Sequence, residues 1–354
     1  MNGKYLYRPG ELVWFNRGAA WGLAVIAKRQ LINDKPRYLV QPLSHPLQHL
    51  QPQIKDNEDD IRPWLAWSVP NTTIAQLKNA TFETTPWDRV IRGEFGSGGD
   101  PQVDASILAA KMIDASYSLF DRIETAAGPN EVYYKGMFLG AEKIWTGEPV
   151  RLRVQGNDIA VLIIDKMIER STTSPPASSV TFIGDIYKFV EMPMTYKSRA
   201  EWPTPALPAR MVADLRFRNE VADDAKRGVW CEWRLLEPAA KKGLSDIKGR
   251  WYETRALLPA LRTLSQYQQD LLAGNASDTG MWMNSRGDSS GAGTRRKNRK
   301  DTLGASVPGD FKVSRGLDGS PGDDLFPDMH PSQPAAQPRF SDGDQFMDLD
   351  HAYC

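Results

Sequence analysis

Several groups of residues have types and spacings that could do chemistry. Trp14, Phe15, Trp21 and Tyr38 lie in short apolar runs near the start of the chain. A cage built from Trp14, Trp21 and Tyr38 would hold a methylated lysine by cation–π attraction, about 0.5–2 kcal/mol per ring contact. Successive side chains of a strand point to opposite faces, so Trp14 and Phe15 cannot both line one cage. The plainer role for the same rings is to fill a small core. Arg250-Trp251-Tyr252 combines the residue types that dominate interface hot spots and is a candidate partner or peptide anchor. Packing of a turn is the other role open to it. The one dense basic run, Arg295, Arg296, Lys297, Arg299 and Lys300, could serve nuclear import or contact phosphates.

Catalysis finds little to work with. The sequence carries no Gly-x-Ser-x-Gly, His-Glu-x-x-His or Walker motif. Its 4 His leave few general bases. Asp59-Asp60 and Asp223-Asp224 are sequence neighbours, which does not bring two carboxylates to one cleft; a carboxylate-based hydrolase would have to rest on such residues. His45 and His49 have a spacing that shares a helix face, but Pro46 and Pro52 disfavour a helix there and no third ligand is evident. Residues 93–100 are glycine-rich yet lack the Lys-Ser/Thr of a phosphate loop, and read as a connector. No catalytic residue, metal, cofactor or small-molecule substrate is therefore expected.

Composition narrows the class further. The 44 Lys+Arg balance 44 Asp+Glu, so no overall charge draws the chain to nucleic acid or to an acidic substrate. The 2 Cys, Cys231 and Cys354, rule out a disulfide framework and a cysteine-built zinc site, and point to a reducing intracellular setting. No apolar run is long enough to cross a bilayer, and the first ten residues do not read as a signal peptide, so no membrane partner is expected.

The elements that must position these residues follow from patterning. Residues 4–43 hold three short β-branched and aromatic runs bounded by Gly, Pro or Asn, the start of a small antiparallel barrel. Residues 61–70 return to strand composition. Between 72 and 127 the chain reads as helical, with Asp104 as a cap and a stripe of Ile107, Leu108, Met112, Ile113, Tyr117, Phe120 and Ile123 at helical spacing. Residues 131–192 are β-rich. A mixed helix over 209–227, a strand over 229–236 and a terminal helix over 251–273, broken at Pro259, complete the folded part. From residue 274 aliphatic residues almost vanish, and such a segment is expected to be disordered. The division expected is 1–70, 71–130, 131–272 and 273–354: a β module, a helical connector, a β-rich domain and a tail.

Two stretches resemble known families. The order PGELVWF, WGLAVI, RYLVQPL is similar to the opening of SH3-like barrels in Tudor-type and PWWP-type chromatin readers. GMFLGAEKIWTGEPVRLR, NDIAVLIIDKMIE, FIGDIYKF, VWCEWRLLEP and GRWYE, in that order, resemble the C-terminal region of the fungal transcription-silencing protein cryptic loci regulator 2. PGELVWF and RPWLAWSVP match that family's preceding module. The family's C-terminal region is similar to a bromo-adjacent-homology domain. Here Gly147-Glu148-Pro149-Val150-Arg151-Leu152 takes the place of its opening Gly-Asp-x-Val-x-Leu, with Glu148 for Asp.

The resemblance implies a fold that is mainly β with α insertions: an SH3-like small barrel, a bromo-adjacent-homology-like β module and a disordered C-terminal tail. It also implies a nuclear, chromatin-associated, non-catalytic scaffold in a heterochromatin-silencing complex (SHREC-like). The implied partners are histone deacetylase and chromatin remodeller subunits, with nucleosome or DNA as a further partner. Longer members carry additional N-terminal chain resembling a methyl-DNA-binding fold. This sequence opens directly on the β module, so DNA contact through that region is not expected of it, as for a short form or an incomplete gene product. The alternatives are a methyl-lysine reader using the N-terminal aromatics and the carboxylate hydrolase.

Overall fold

The computed structural model describes residues 5–312, except 97, 124–127, 129, 157, 174–175 and 287–294. The first sheet contains β1 (Leu12–Asn16), β2 (Trp21–Ile32), β3 (Lys35–Pro42), β4 (Gln53–Lys55) and β5 (Ile61–Pro63). The order is β4-β3-β2-β1-β5, antiparallel throughout, so the chain meanders and β5 returns to pair with β1. Asn33 and Asp34, at φ 51° and 59°, form the tight turn from β2 to β3. That turn matches strand twist, and Asn and Asp tolerate its positive φ.

Two helices follow, α1 (Trp87–Ile91) and α2 (Pro101–Asp114). Sequence patterning placed the cap at Asp104 and ran the helix to Ile123; both expectations are corrected. Asp100 caps α2, accepting from the Gln102 N–H at 2.7 Å, and Pro101 occupies the first helical position, where a missing N–H costs nothing. Asp104 is buried inside the helix and accepts instead from the Ile74 N–H at 2.9 Å and the Thr73 hydroxyl at 3.0 Å. Residues beyond Ala115 form β6 (Ser116–Ile123), paired antiparallel with β7 (Glu131–Leu139). Tyr117, Phe120 and Ile123 fit a helical period, but cross-strand pairing decides their conformation.

The second sheet continues through β8 (Glu142–Trp145), β9 (Pro149–Leu152), β10 (Ala160–Thr173) and β11 (Pro176–Pro193). After α3 (Ala209–Asp224) come β12 (Val229–Gly243) and β13 (Ile247–Arg250). β10 is its hinge line. One edge pairs with β11 along its length; the other pairs with β7 at one end and β9 at the other, which bends the sheet. The terminal helical region is two helices, α4 (Thr254–Leu261) and α5 (Leu264–Leu272), separated at Arg262 and restarted by a Thr263–Gln266 capping box. The fold is mainly β with α insertions, as expected.

The tail expectation needs correction over its described part. Residues 295–296 add a short strand β14 (Arg295–Arg296), parallel to β6, and α6 (Arg299–Leu303) follows. Leu303 and Val307 are buried against Leu108 and Ile113 of α2 in one apolar cluster. Asp278 and Thr279 are also buried. A few apolar and buried polar residues dock this segment onto a core built by the rest of the chain, and composition averages hide them. Residues 313–354 lie outside the described residues.

The core crosses the boundaries drawn at 70, 130 and 272. One face of the first sheet (Leu12, Trp14, Leu23, Val25) packs on α2 and on Leu303. The other face (Val13, Phe15, Ala24, Tyr38) packs on Tyr252, Leu257 and Ala260, from α4 and the residues before it. Both faces of the N-terminal sheet are thus covered by later parts of the chain. The second sheet has its own core around Leu162, Ile164, Met167 and Phe182. Its other face takes α3 through Met211 and Leu215.

Candidate functional site

A group of charged side chains lies buried where the two sheets meet. Glu11, just before β1, accepts both Oε contacts from Arg250 Nη1 at 2.9 Å, the Lys143 N–H at 3.0 Å and the Arg8 N–H at 2.8 Å. Arg250, 1% exposed at the end of β13, also donates to the Leu6 carbonyl at 2.7 Å and stacks 4.5 Å from the Tyr252 ring. Glu142 on β8 accepts from the Arg250 N–H at 2.6 Å and the Tyr252 hydroxyl at 2.9 Å. Arg8 donates to the Lys143 carbonyl at 2.7 Å and to Glu148 at 2.6 Å. Glu148 and Glu253 are both ion-paired to Arg210 of α3. Gly249 allows the close approach: a Cβ there would lie 2.6 Å from Glu142 Oε2 and 2.7 Å from Arg151 Nη2.

Burial works against each ion, and the partners decide the outcome. Burial lowers the Arg250 pKa, but Glu11, Tyr252, Glu148 and Glu253 raise it overall above the ordinary guanidinium value. Burial pushes Glu148 up, while Arg8, Arg250 and Arg210 hold it below the usual carboxylate range. Glu142 is raised, by burial first, with Arg151 opposing. Arg299 of α6 donates to the Gly10 carbonyl at 2.7 Å and the Gly140 carbonyl at 2.8 Å over the Phe138 ring; burial brings it down to about 9, so it stays charged at neutral pH. Such ions persist because hydrogen bonds replace the water they lose.

Lys143 is the exception. It is fully buried, its ammonium donates to the Pro9 carbonyl at 3.2 Å, and burial, helped by Arg8, Arg29 and Arg299 against Glu11, lowers it from 10.5 to about 7. Between these two values the unfolded chain holds the proton and the folded chain does not. Stability therefore rises with pH across that window, by up to about 1.4 kcal/mol per unit for this group. Lys143→Met is expected to remove this slope. Parallel urea-unfolding profiles for Lys143→Met and the unsubstituted chain from pH 7 to 9 would count against the assignment.

A second buried cluster pins the later segment. Arg218 of α3 donates to Asp214 at 2.6 Å, to Asp278 at 3.0 Å and to the Ala276 carbonyl at 2.9 Å. Asp214 in turn accepts from the Thr254 N–H at 2.6 Å, at the start of α4. Chemically, both clusters hold surfaces together. Their carboxylates are taken up by cations and N–H donors inside the fold, an arrangement that fixes geometry.

The residues singled out from sequence fall into this frame. Arg250, Trp251 and Tyr252 are all buried, so the expected partner anchor is an internal one; Trp251 packs in the cluster under α3. Trp14, Trp21 and Tyr38 do not form a cage. Trp14 stacks on Trp64 at 5.7 Å, and Trp21 meets Trp67 edge-on at 5.1 Å with the Arg62 guanidinium 4.8 Å from its ring. Tyr38 is on the opposite face of the sheet, fully buried, its hydroxyl accepting from the Leu6 N–H and facing Glu58. Alternation along β1 and β3 makes this separation. The basic run is not a free tail peptide: Arg296 pairs with Glu169 at 3.0 Å, Lys297 with Glu83 at 3.0 Å, and Arg299 is buried, while Lys300 is exposed. His45 is buried, and His49 meets the Ser44 hydroxyl at 2.9 Å. Among the described residues no cluster of three metal-ligating side chains occurs. Asp223 and Asp224 both pair with Arg199 on the surface.

Comparison with known proteins bears on the region that includes the junction's later half. Residues 133–253 match the family model for transcription-silencing protein Clr2. Over that segment the chain is Clr2-like. The match spans β7 to β13, and contains Glu142, Glu148 and Arg250. That family is described as a transcription-silencing one, and the match covers about a third of this chain. A solved structure, "Structure of Clr2 bound to the Clr1 C-terminus", aligns at 16% identity and TM-score 0.49, covering 86% of this chain and 59% of that one. This chain thus spans less than two thirds of the length of that Clr2 chain. No curated protein matches.

Sequence reading missed Arg8, Glu11, Glu142, Lys143 and the Arg218 cluster. One signal was available: Asp214 and Arg218 stand at the i,i+4 spacing of a helical ion pair. Glu11 within Pro-Gly-Glu-Leu-Val-Trp was a second, a lone charge entering an apolar strand.

Proposed function

We propose that this chain is a non-catalytic, nuclear scaffold subunit of a histone-deacetylase-containing heterochromatin-silencing complex, holding deacetylase and remodeller subunits near chromatin. The observation that carries the reading is the Clr2 match over residues 133–253. The buried junction supports it, because the charged residues there brace two sheets into a rigid platform. Contact with nucleosomes or DNA belongs to the same proposal and would use outer surfaces. Nuclear import through residues 295–300 would require β14 and α6 to detach, since Arg299 is buried between Gly10 and Gly140. The methyl-lysine reader lacks a supporting observation, because Tyr38 and Trp14 sit on opposite faces. The hydrolase lacks one as well, since Asp59 and Asp60 lie within one short turn and Asp223 and Asp224 are bound by Arg199.

The test is purification of the tagged chain from nuclei with identification of its companions. Deacetylase and remodeller subunits are expected together in the eluate. Their absence, with the chain intact and nuclear, would overturn the scaffold reading.

A further inference from the structure

An open groove of about 770 Å³ lies between the second sheet and the residues leading into α3. Its floor is an irregularity in the sheet. β10 and β11 shift register at Asp165, and at Gly184 the strands approach so closely that a Cβ would lie 1.9 Å from the Ile163 carbonyl oxygen. Only glycine fits that approach, so the floor is fixed by sequence. Leu207 and Pro208 form the opposite wall.

Register determines what faces the groove. Asp185 is directly opposite Ile163, and Tyr187 is directly opposite both Val161 on one side and Leu235 on the other. Residues opposite one another in adjacent strands share a face. An apolar surface with an aromatic ring therefore runs beside the Asp185 carboxylate, and Leu235 extends it onto the exposed part of β12, being 49% exposed. Asp185 accepts one backbone N–H, from Ala239 at 2.9 Å, and among the described residues Asp165 pairs with the Lys166 ammonium beside it, at 3.8 Å. No Lys, Arg or His is among the residues that line the groove.

We propose that this groove binds a lysine side chain carried on an extended basic segment of a partner protein. The chemistry is complementary in both parts. The aliphatic stem of lysine lies along apolar walls while its ammonium reaches Asp165 and Asp185, the way long cationic side chains commonly bury a stem and keep the head polar. Tyr187, which lines the same groove, adds an aromatic ring to that surface. The exposed Leu235 continues the surface for an apolar neighbour of the lysine. This site is separate from the buried junction and does not depend on the silencing reading.

The test uses the full chain and a fluorescein-labelled peptide of alternating Lys and Ala, followed by anisotropy. The peptide is expected to bind, to bind less as salt rises, and to be matched by no binding of the Glu-for-Lys peptide. The double variant Asp165→Asn, Asp185→Asn keeps the acceptor for the Ala239 N–H and is expected to bind at least about ten-fold more weakly, two partly exposed charge contacts being worth about 1.4 kcal/mol together. Asp59→Asn, on the first sheet, is expected to bind as the unsubstituted chain does. Equal binding by the double variant, an equal loss in Asp59→Asn, or no binding of the Lys peptide would each overturn the proposal.

Discussion

Arg250→Ala is expected to destabilise the chain by about 3–5 kcal/mol, because it leaves the buried Glu11 carboxylate without the guanidinium nitrogen that contacts both its oxygens. The same change removes the donor to the Leu6 carbonyl and the cation stacked on Tyr252. Urea unfolding followed by circular dichroism would measure it. A double variant, Glu11→Gln with Arg250→Met, is expected to lose less than the sum of the two single changes, since residues in one network couple. A loss under about 1 kcal/mol for Arg250→Ala would place the pair among surface-like ion pairs and contradict its role. The effect should also be shared. Glu11 precedes β1, Arg250 closes β13 and Glu142 begins β8, so one side chain braces elements far apart in the chain.

The second large effect concerns the segment after α5. Removing residues 274–354 is expected to destabilise the folded part by more than about 3 kcal/mol, although its composition suggests a dispensable tail. The truncation takes Asp278 and the Ala276 carbonyl from Arg218, which is fully buried and then keeps only Asp214 and Thr254. It also takes Leu303 and Val307 from the apolar cluster under α2, and each buried aliphatic side chain contributes about 1.5–3 kcal/mol. Arg218→Ala isolates the polar part and is expected to cost about 3–5 kcal/mol by itself. A truncated chain that unfolds at the same urea concentration as the full one would refute this account of the segment.

The first sheet was readable because local signals agree there. Val13, Phe15 and Val25 sit in β-branched or aromatic runs ended by Gly, Pro or Asn, and nothing distant changes that preference. The end of α2 was not readable. Tyr117 and Phe120 suit either period, and the choice falls to β7, whose residues are pleated against them. Asp100 and Asp104 are both plausible caps by type; only the backbone position of Pro101 separates them.

The site was half legible. Arg250, Trp251 and Tyr252 stand out by type, but residue type does not say whether a hot-spot-like triplet faces another molecule or another part of its own chain. Burial answers that, and burial depends on β9 and the 6–11 segment, both far from the triplet in sequence, arriving beside it. Lys143 carries the same lesson more sharply. A lysine reads as surface, yet this one lies under Pro9 and beside Phe138. That Asp165 and Asp185 line one groove was invisible because the groove arises from a register shift between two strands, a feature of pairing that neither strand encodes alone.

The most direct test of the central claim, that a buried charged junction makes the two sheets one platform, is native-state hydrogen exchange on the unsubstituted chain and on Arg250→Ala. Amides of β1–β3 and of β10–β11 are expected to share one opening free energy in the first, and to lose protection by the same amount in the second. Protection lost in β1–β3 alone, with β10–β11 unchanged, would show two independently stable modules and contradict the account.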